Sequence, residues 1–454
     1  MASITKRGNS YRVTVSNGRR IDGTQILETA TYSPEPGMTA RQIERAVREF
    51  AVDFERDVKA GQNVKGRQMT LKQLSEIYME DMKPTGNEDE DPMAITTWYS
   101  YQDCLRLRIL PRLGHMKICN IITKTLNDYA KELKKDGARQ DGKPGGLGSG
   151  TIRRDCCVIS AMLSWAVGQG LLPVNPIIYA GKQNRARKAA SEYKVDYLTI
   201  EQTKALLWAF DNRILVKHKA HTRKNRNGTQ YEVPEYTQVW QLSLMWRAYF
   251  YVSLFVGDRR GENLALTWEC IDMETGAVNI ERSTAYVHKQ IIQKMTKTKK
   301  SRTPVLPPVV INVLRKWRSA QIQMCLEYGT YWEGYRGKEF DKNFIFTGDN
   351  GKQIHPCTPY HQFKQIVKIY NEHAAPDDAH KIPADATQND LRHTAAAILI
   401  ANGMDPRSVA GVLGHSNPTT TLNIYSYFFR TKNQQAADIM AAQLLPDQSG
   451  AAPG

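Results

Sequence analysis

The chain has 454 residues and carries 62 Lys+Arg against 46 Asp+Glu, a net charge of +16. That length suits roughly three domains of about 150 residues, and the basic excess selects a polyanionic partner, nucleic acid before anionic membrane. No run approaches the ~20 apolar residues of a bilayer span, and residues 1–18 lack the apolar core of a signal peptide. The seven cysteines are scattered with no CxxC pair, which argues against a disulfide framework or a zinc–cysteine cluster and for a reducing cytoplasm.

Residues 1–62 predict a small sheet packed on one helix. Tyr11, Val13 and Val15 alternate with polar residues, the period of a strand with one buried face. Asn17-Gly18 is a turn signal, and Gln25–Tyr32 offers a second strand. Thr39 is placed to cap a helix whose Ile43, Val47, Phe50, Phe54 and Val58 share a face. Arg7, Arg12 and Arg19 sit on these strands and turns as candidate DNA contacts.

Residues 69–180 predict a helical domain. Leu71, Leu74, Ile77 and Tyr78 form one amphipathic stripe; Leu126, Tyr129, Ala130 and Leu133 form another. The Gly-rich stretch 137–150 connects helices and is not a phosphate loop, because Pro144 follows Gly142-Lys143. A helix resumes at Thr151 with Cys157, Ala161, Leu163 and Trp165. Residues 181–196 then read as a basic linker, with Lys182, Arg185 and Arg187 as further candidate DNA contacts. From Tyr197 the pattern returns to long amphipathic helices, interrupted by a basic stretch at Lys217, Lys219, Arg223, Lys224 and Arg226.

Four segments carry the chemistry. In Gly257-Asp258-Arg259-Arg260-Gly261-Glu262, an arginine follows a glycine turn, and Glu262 three positions on can brace its guanidinium. Lys297-Thr298-Lys299-Lys300-Ser301-Arg302 lies in a stretch without any acid between Arg282 and Arg318. Strand character at Val278–Glu281 and Ala285–Val287 suggests a hairpin with this basic cluster at its tip, suited to phosphate contact. Asn389-Asp390-Leu391-Arg392 enters a helix that stops at Gly403, with Asp390 as cap and Arg392 in the first turn, where backbone N–H groups favour an anion. Asp405 and Pro406 open a short helix closed by Gly414, followed by His415 and, ten residues on, Tyr425.

In this order the four segments resemble the tyrosine recombinase (phage integrase) family. Arg259 fits its first-box arginine, Lys297 its hairpin lysine, Arg392 its second-box arginine, His415 its Leu-Gly-His box and Tyr425 its nucleophile. Tyr427 competes with Tyr425, but two residues apart on a helix means opposite faces. The family's second box begins with histidine where this chain has Asn389. Asparagine hydrogen-bonds but carries no proton or charge, and His393 stands one residue past Arg392, out of that register.

The resemblance implies a multidomain, mainly α protein. Its parts would be a small α+β arm-binding domain (1–62), a helical SAM-like core-binding domain (69–180), the linker, a mixed, mostly helical catalytic domain with a small β-sheet (197–445), and a disordered tail (446–454). It implies a phage or mobile-element integrase that transfers a DNA phosphodiester to Tyr425. Arg259, Arg392 and His415 would hold the phosphate, and Lys297, or its rival Lys299, would act as general acid. Lys299 and Arg302 add candidate DNA contacts. No cofactor or metal is implied. The implied partners are double-stranded DNA at core and arm attachment sites, a homotetramer on synapsed DNA, and accessory DNA-bending and excision-directing proteins, all in a bacterial cytoplasm. The rivals are a type IB topoisomerase, a DNA-binding protein with an impaired site, and a non-enzymatic RNA or chromatin binder, which leaves the four boxes unexplained.

Overall fold

The structure, a computed structural model, describes residues 2–19, 24–59, 69–177, 197–225, 227–296, 301–414 and 440. The chain separates into two units, Met1–Ser191 and Glu192–Gly454.

The first unit opens with an antiparallel sheet of β1 (Ser3–Arg7), β2 (Ser10–Arg19) and β3 (Gln25–Tyr32), in that order. Val13 and Val15 are buried against Ala51, Phe54 and Val58 of α1 (Ala40–Lys59). Thr39 caps that helix with Gln42, whose Oε1 accepts the Thr39 N–H at 2.8 Å. Asn17-Gly18 is not a hairpin turn. It lies inside β2, where the register shifts between Ser16 and Arg19, so the dipeptide relieves an irregular strand. The turn between β1 and β2 falls at Gly8, whose φ is +57°.

The helical part comprises α2 (Leu71–Asp81), α3 (Ile95–Cys104), a π-helical turn at Leu105–Ile109, α4 (Leu110–Leu113), α5 (Thr123–Leu133) and α6 (Ser149–Gly168). Its core gathers Leu71, Leu74, Tyr78, Ile109, Leu126, Tyr129, Leu133, Val158 and Met162. Ile77 and Cys157 face outward instead, because the buried stripes run through Tyr78–Met79 and Val158–Ile159. One charge is sealed inside: the fully buried Asp155 takes two 2.7 Å bonds from Arg108 and a 3.0 Å bond from the Tyr129 hydroxyl.

The second unit begins with α7 (Ile200–Asp211), capped by Thr199. The next segment is not helical. The basic stretch lies on a β-ribbon in which β4 (Ile214–His218) pairs with β7 (Tyr236–Trp240) and β5 (His221–Lys224) with β6 (Gln230–Val233). Charges at every second or third position hide the alternation of Ile214 and Val216 from a helical reading. Next come α8 (Leu244–Val256) and α9 (Arg260–Leu264). α8 is apolar nearly all round, as befits a largely buried helix; Tyr249, Phe250 and Val252 are completely buried, while Phe255 near its end is exposed.

A hairpin of β8 (Arg282–Val287) and β9 (Gln290–Met295) turns at His288 and Lys289, both left-handed (φ 45° and 64°), the pattern of a type I′ turn. The basic cluster is therefore not at the hairpin tip: residues 297–300 come after β9. Val278–Glu281 is not a hairpin strand either; among the described residues it pairs through bridges such as Ile280 with Arg302. The unit closes with α10 (Pro308–Tyr328), α11 (Thr358–His373), α12 (Gln388–Ala401) and α13 (Pro406–Leu413). Its core includes Phe210, Phe250, Trp268, Trp317 and Phe363. No helix among the described residues is long and apolar enough to cross a membrane.

Candidate active site

Two glycine turns frame the site. α8 stops at Gly257, a left-handed residue (φ 62°) whose N–H reaches Ser253 O, and α13 stops at the left-handed Gly414 (φ 68°). Both positions need glycine twice over, for the backbone and for space. A Cβ on Gly257 would stand 2.5 Å from Leu413 Cδ2, and one on Gly414 would stand 2.7 Å from Arg302 Nη1. The two helix ends thus close on each other and admit arginine side chains between them.

Arg259 leads into α9. Its backbone N–H donates to Glu262 Oε2 (3.0 Å) and its Nη1 to Glu262 Oε1 (2.7 Å), so one carboxylate both caps the helix and aims the guanidinium. Its Nη2 reaches Gly414 O at 3.4 Å. Glu262 also binds Arg302 Nη2 at 2.5 Å. Burial pushes the Glu262 carboxyl up, but the Arg302 bond and charge, with the Arg259 N–H, more than offset it and hold it below its ordinary value. The bracing of Arg259 follows from the spacing. Arg302's place does not: its side chain is only 8% exposed, drawn in against Glu262 beside Arg259.

Arg392 comes from α12. The cap of that helix is Thr387, not Asp390; Asp390 is the third helical residue and accepts the Thr387 N–H at 2.7 Å. The helix therefore starts earlier than expected and puts Arg392 in its second turn, beyond the free N–H groups. Its Nη1 donates to Gly257 O at 2.7 Å, while the buried Nη2 has no hydrogen-bond partner among the described residues. Burial first, then the neighbouring Arg259, lowers its pKa to about 9. A guanidinium so placed gains most from an incoming anion.

Beneath the arginines lies a polar layer that sequence spacing does not single out. Asp258 is fully enclosed. Its Oδ1 accepts from Ser253 Oγ at 3.3 Å, and its Oδ2 has no partner among the described residues. Burial, reinforced by Glu262 and opposed by Arg302 and Arg392, raises its pKa to about 8. Gln388 Nε2 donates to Tyr249 Oη (2.6 Å) and Ser253 Oγ (3.0 Å), and Asn263 Nδ2 to Ser253 Oγ (2.9 Å). The available signal was polar residues on otherwise apolar helix faces.

Asn389 is exposed, and its Nδ2 lies 3.0 Å from Nε2 of His393, one turn on. An imidazole therefore stands beside the asparagine although it is out of register in the sequence. Arg7 is exposed at the end of β1, Arg12 is half-buried on β2 opposite Thr5 and Thr31, and Arg19 pairs with Gln25 at the end of β2. Lys297, Lys299, His415, Tyr425, Lys182, Arg185 and Arg187 lie outside the described residues.

Residues 231–429 match the model of the phage integrase family, and residues 70–134 that of the phage integrase N-terminal SAM-like domain. The chain is 24% identical over 455 residues to a XerC-like tyrosine recombinase of Caldanaerobacter subterraneus subsp. tengcongensis, covering 96% of this chain and 97% of that protein. It is 25% identical to the ICEBs1 integrase of Bacillus subtilis over 201 residues, covering 44% of this chain and 49% of that one. Among solved structures, the Tn1549 transposon integrase in complex with transposon right end DNA is similar in fold, with a TM-score of 0.59, 19% identity, and coverage of 83% of this chain and 100% of that chain.

Proposed function

The chain is a tyrosine recombinase of the phage integrase family, and from that premise we propose that Tyr425 carries its site-specific cutting and rejoining of DNA. The observation that carries this reading is the cluster of Arg259, Arg302 and Arg392 around one ionised carboxylate, Glu262, with Arg392 Nη2 left open. Three guanidiniums against one carboxylate leave a net positive site. Gly414 at its rim is followed directly by His415 and then by the segment that holds Tyr425.

A scissile phosphate placed there meets Arg259 and Arg392 on its non-bridging oxygens, and His415 supplies a third donor. Tyr425 Oη attacks the phosphorus in line, the bond to the 5′ oxygen breaks, and a 3′-phosphotyrosyl ester forms. The phenol, with a reference pKa near 10, must give up its proton as it attacks; we assign that proton to the Asn389–His393 pair, whose amide and imidazole lie 3.0 Å apart. Lys297, with Lys299 as its rival, gives a proton to the departing 5′ oxygen. Preorganised donors of this kind contribute about 2.7–4 kcal/mol each to transition-state stabilisation. Attack by a 5′ hydroxyl of a second strand reverses the step and rejoins the DNA.

In this reading residues 1–62 hold arm sites, 69–180 and 197–445 bind the core site on either side of the linker 181–196, and 446–454 is a tail. Four copies act on two synapsed duplexes in a bacterial cytoplasm, with DNA-bending and excision-directing proteins as accessories.

The test is covalent capture from a random duplex pool in EDTA, quenched with detergent, with Tyr425→Phe in parallel. Protein-linked DNA enriched for one inverted-repeat core and absent in the variant supports the reading. Adducts without sequence enrichment indicate a topoisomerase. Binding without any adduct refutes the chemistry.

A further inference from the structure

The ribbon of β4–β7 has no part in the arginine site. Ile214 and Val216 anchor its base in the core, and β4 packs on α11, which in turn touches α12. Beyond His218 both strands are exposed on both faces apart from the half-buried Val233, and Gly228 (φ 84°) turns the tip. At about 3.3 Å per residue, the free part from Lys219 to Lys224 reaches roughly 20 Å. A bare two-stranded ribbon is marginal in water by itself, so its retention suggests a partner.

Charge says which partner. From Arg213 to Arg226 there are six Lys or Arg and no acid. Lys217, Lys219, Arg223 and Lys224 are exposed and have no ion-pair partner among the described residues. Charges that only discourage edge pairing can be of either sign; on β4 and β5 every one is positive, and the returning half of the ribbon adds two acids, Glu232 and Glu235, against these six bases. Arg223 faces Tyr231 directly across the ribbon, and His218 stacks on Tyr236 with centroids 4.4 Å apart. Cationic and flat groups are thus interleaved along a rod whose section suits a DNA groove. The segment matched by the family model begins only at residue 231, so the strands that carry the charge precede it.

We propose that the ribbon Arg213–Trp240 is an additional DNA-binding arm of the catalytic unit, contacting duplex phosphates through Lys217, Lys219, Arg223 and Lys224. This rests on the recombinase reading above and extends the length of duplex that each subunit covers.

The test uses the full chain, a mixed-sequence 60-base-pair duplex, and a variant with Lys217, Lys219, Arg223 and Lys224 all changed to Gln. A control variant changes Arg318, Lys342, Lys352 and Lys381 to Gln. Each of these has a carboxylate partner, so net charge falls equally in both. Each phosphate contact contributes about 0.9 to the slope of log affinity against log salt. The ribbon variant should lower that slope by roughly 2–4, and the control by less than about 1. Between 50 and 200 mM salt the wild type then loses roughly 15- to 250-fold more affinity than the ribbon variant. An equal slope in wild type and ribbon variant overturns the proposal. So does an unchanged slope with lost self-association in sedimentation, which would make the ribbon a contact between subunits. Covalent capture by the same proteins keeps the two readings apart. Adducts with an unchanged slope refute only the arm, while a lowered slope without adducts from wild type refutes only the chemistry.

Discussion

Asp258 gives the sharpest prediction because its environment fixes both sign and size. Its carboxyl is enclosed, and among the described residues Oδ2 is unpartnered and Ser253 donates to Oδ1. Glu262 opposes its charge, while Arg302 and Arg392 favour it. Burial wins, and the pKa rises from 3.8 to about 8. A folded-state value above the unfolded one means that the folded chain holds the proton longer. Stability is then fully present below pH 3.8 and falls as pH rises towards 8, by about 1.4 kcal/mol per pH unit. Asp258→Asn removes the titration. Its advantage over wild type should grow by about 3 kcal/mol between pH 5 and 7, or roughly 5–10 °C in the melting temperature of a unit this size, and level off above pH 8. Scanning calorimetry of both proteins from pH 5 to 9 measures it. The same neutrality has a functional side, since an ionised Asp258 would cancel one of the three guanidinium charges. Wild-type adduct formation should therefore decline above pH 8 more steeply than that of Asp258→Asn. A stability difference that stays constant across this range would show that Asp258 is ionised in the folded chain and would refute the reasoning.

Arg392→Ala should slow covalent adduct formation by about 10²–10³-fold, read in a single-turnover assay with a nicked duplex, with non-covalent binding changed far less. Asn389→His should speed adduct formation and bring in a pH dependence centred near the histidine value of ~6.5; an unchanged rate profile would remove position 389 from proton handling. Gly257→Ala puts a Cβ 2.5 Å from Leu413 Cδ2 at φ 62° and should destabilise the second unit by about 1–3 kcal/mol in thermal unfolding. In the first unit, Arg108→Met leaves Asp155 buried without its cation and should cost about 3–5 kcal/mol in denaturant unfolding.

The bracing of Arg259 was legible in the sequence because its parts sit in short boxes with fixed spacing: Glu262 three positions after Arg259, and Gly257 and Gly414 at helix ends. The sheet and helix of the first 59 residues and the helical stripes of Leu71–Tyr78 and Leu126–Leu133 were also readable, since period 2 and period 3.6 are local properties of the chain. Two features were decided only in three dimensions. Arg302 reads as one more member of a basic run, yet Glu262, 40 residues earlier in the chain, draws it inside. The stretch from Ile214 to Trp240 has too few apolar residues to announce strands, because it buries only its base, and pairing across the ribbon supplies the hydrogen bonds that local pattern cannot show. Asp258 joins them: its identity is in the sequence, but its high pKa comes from burial in the folded unit and from Glu262 nearby, against the opposing charges of Arg302 and Arg392. Spacing along the chain encodes neighbours within a turn or a strand. Burial and charge balance depend on which distant segments meet, and those are properties of the folded chain.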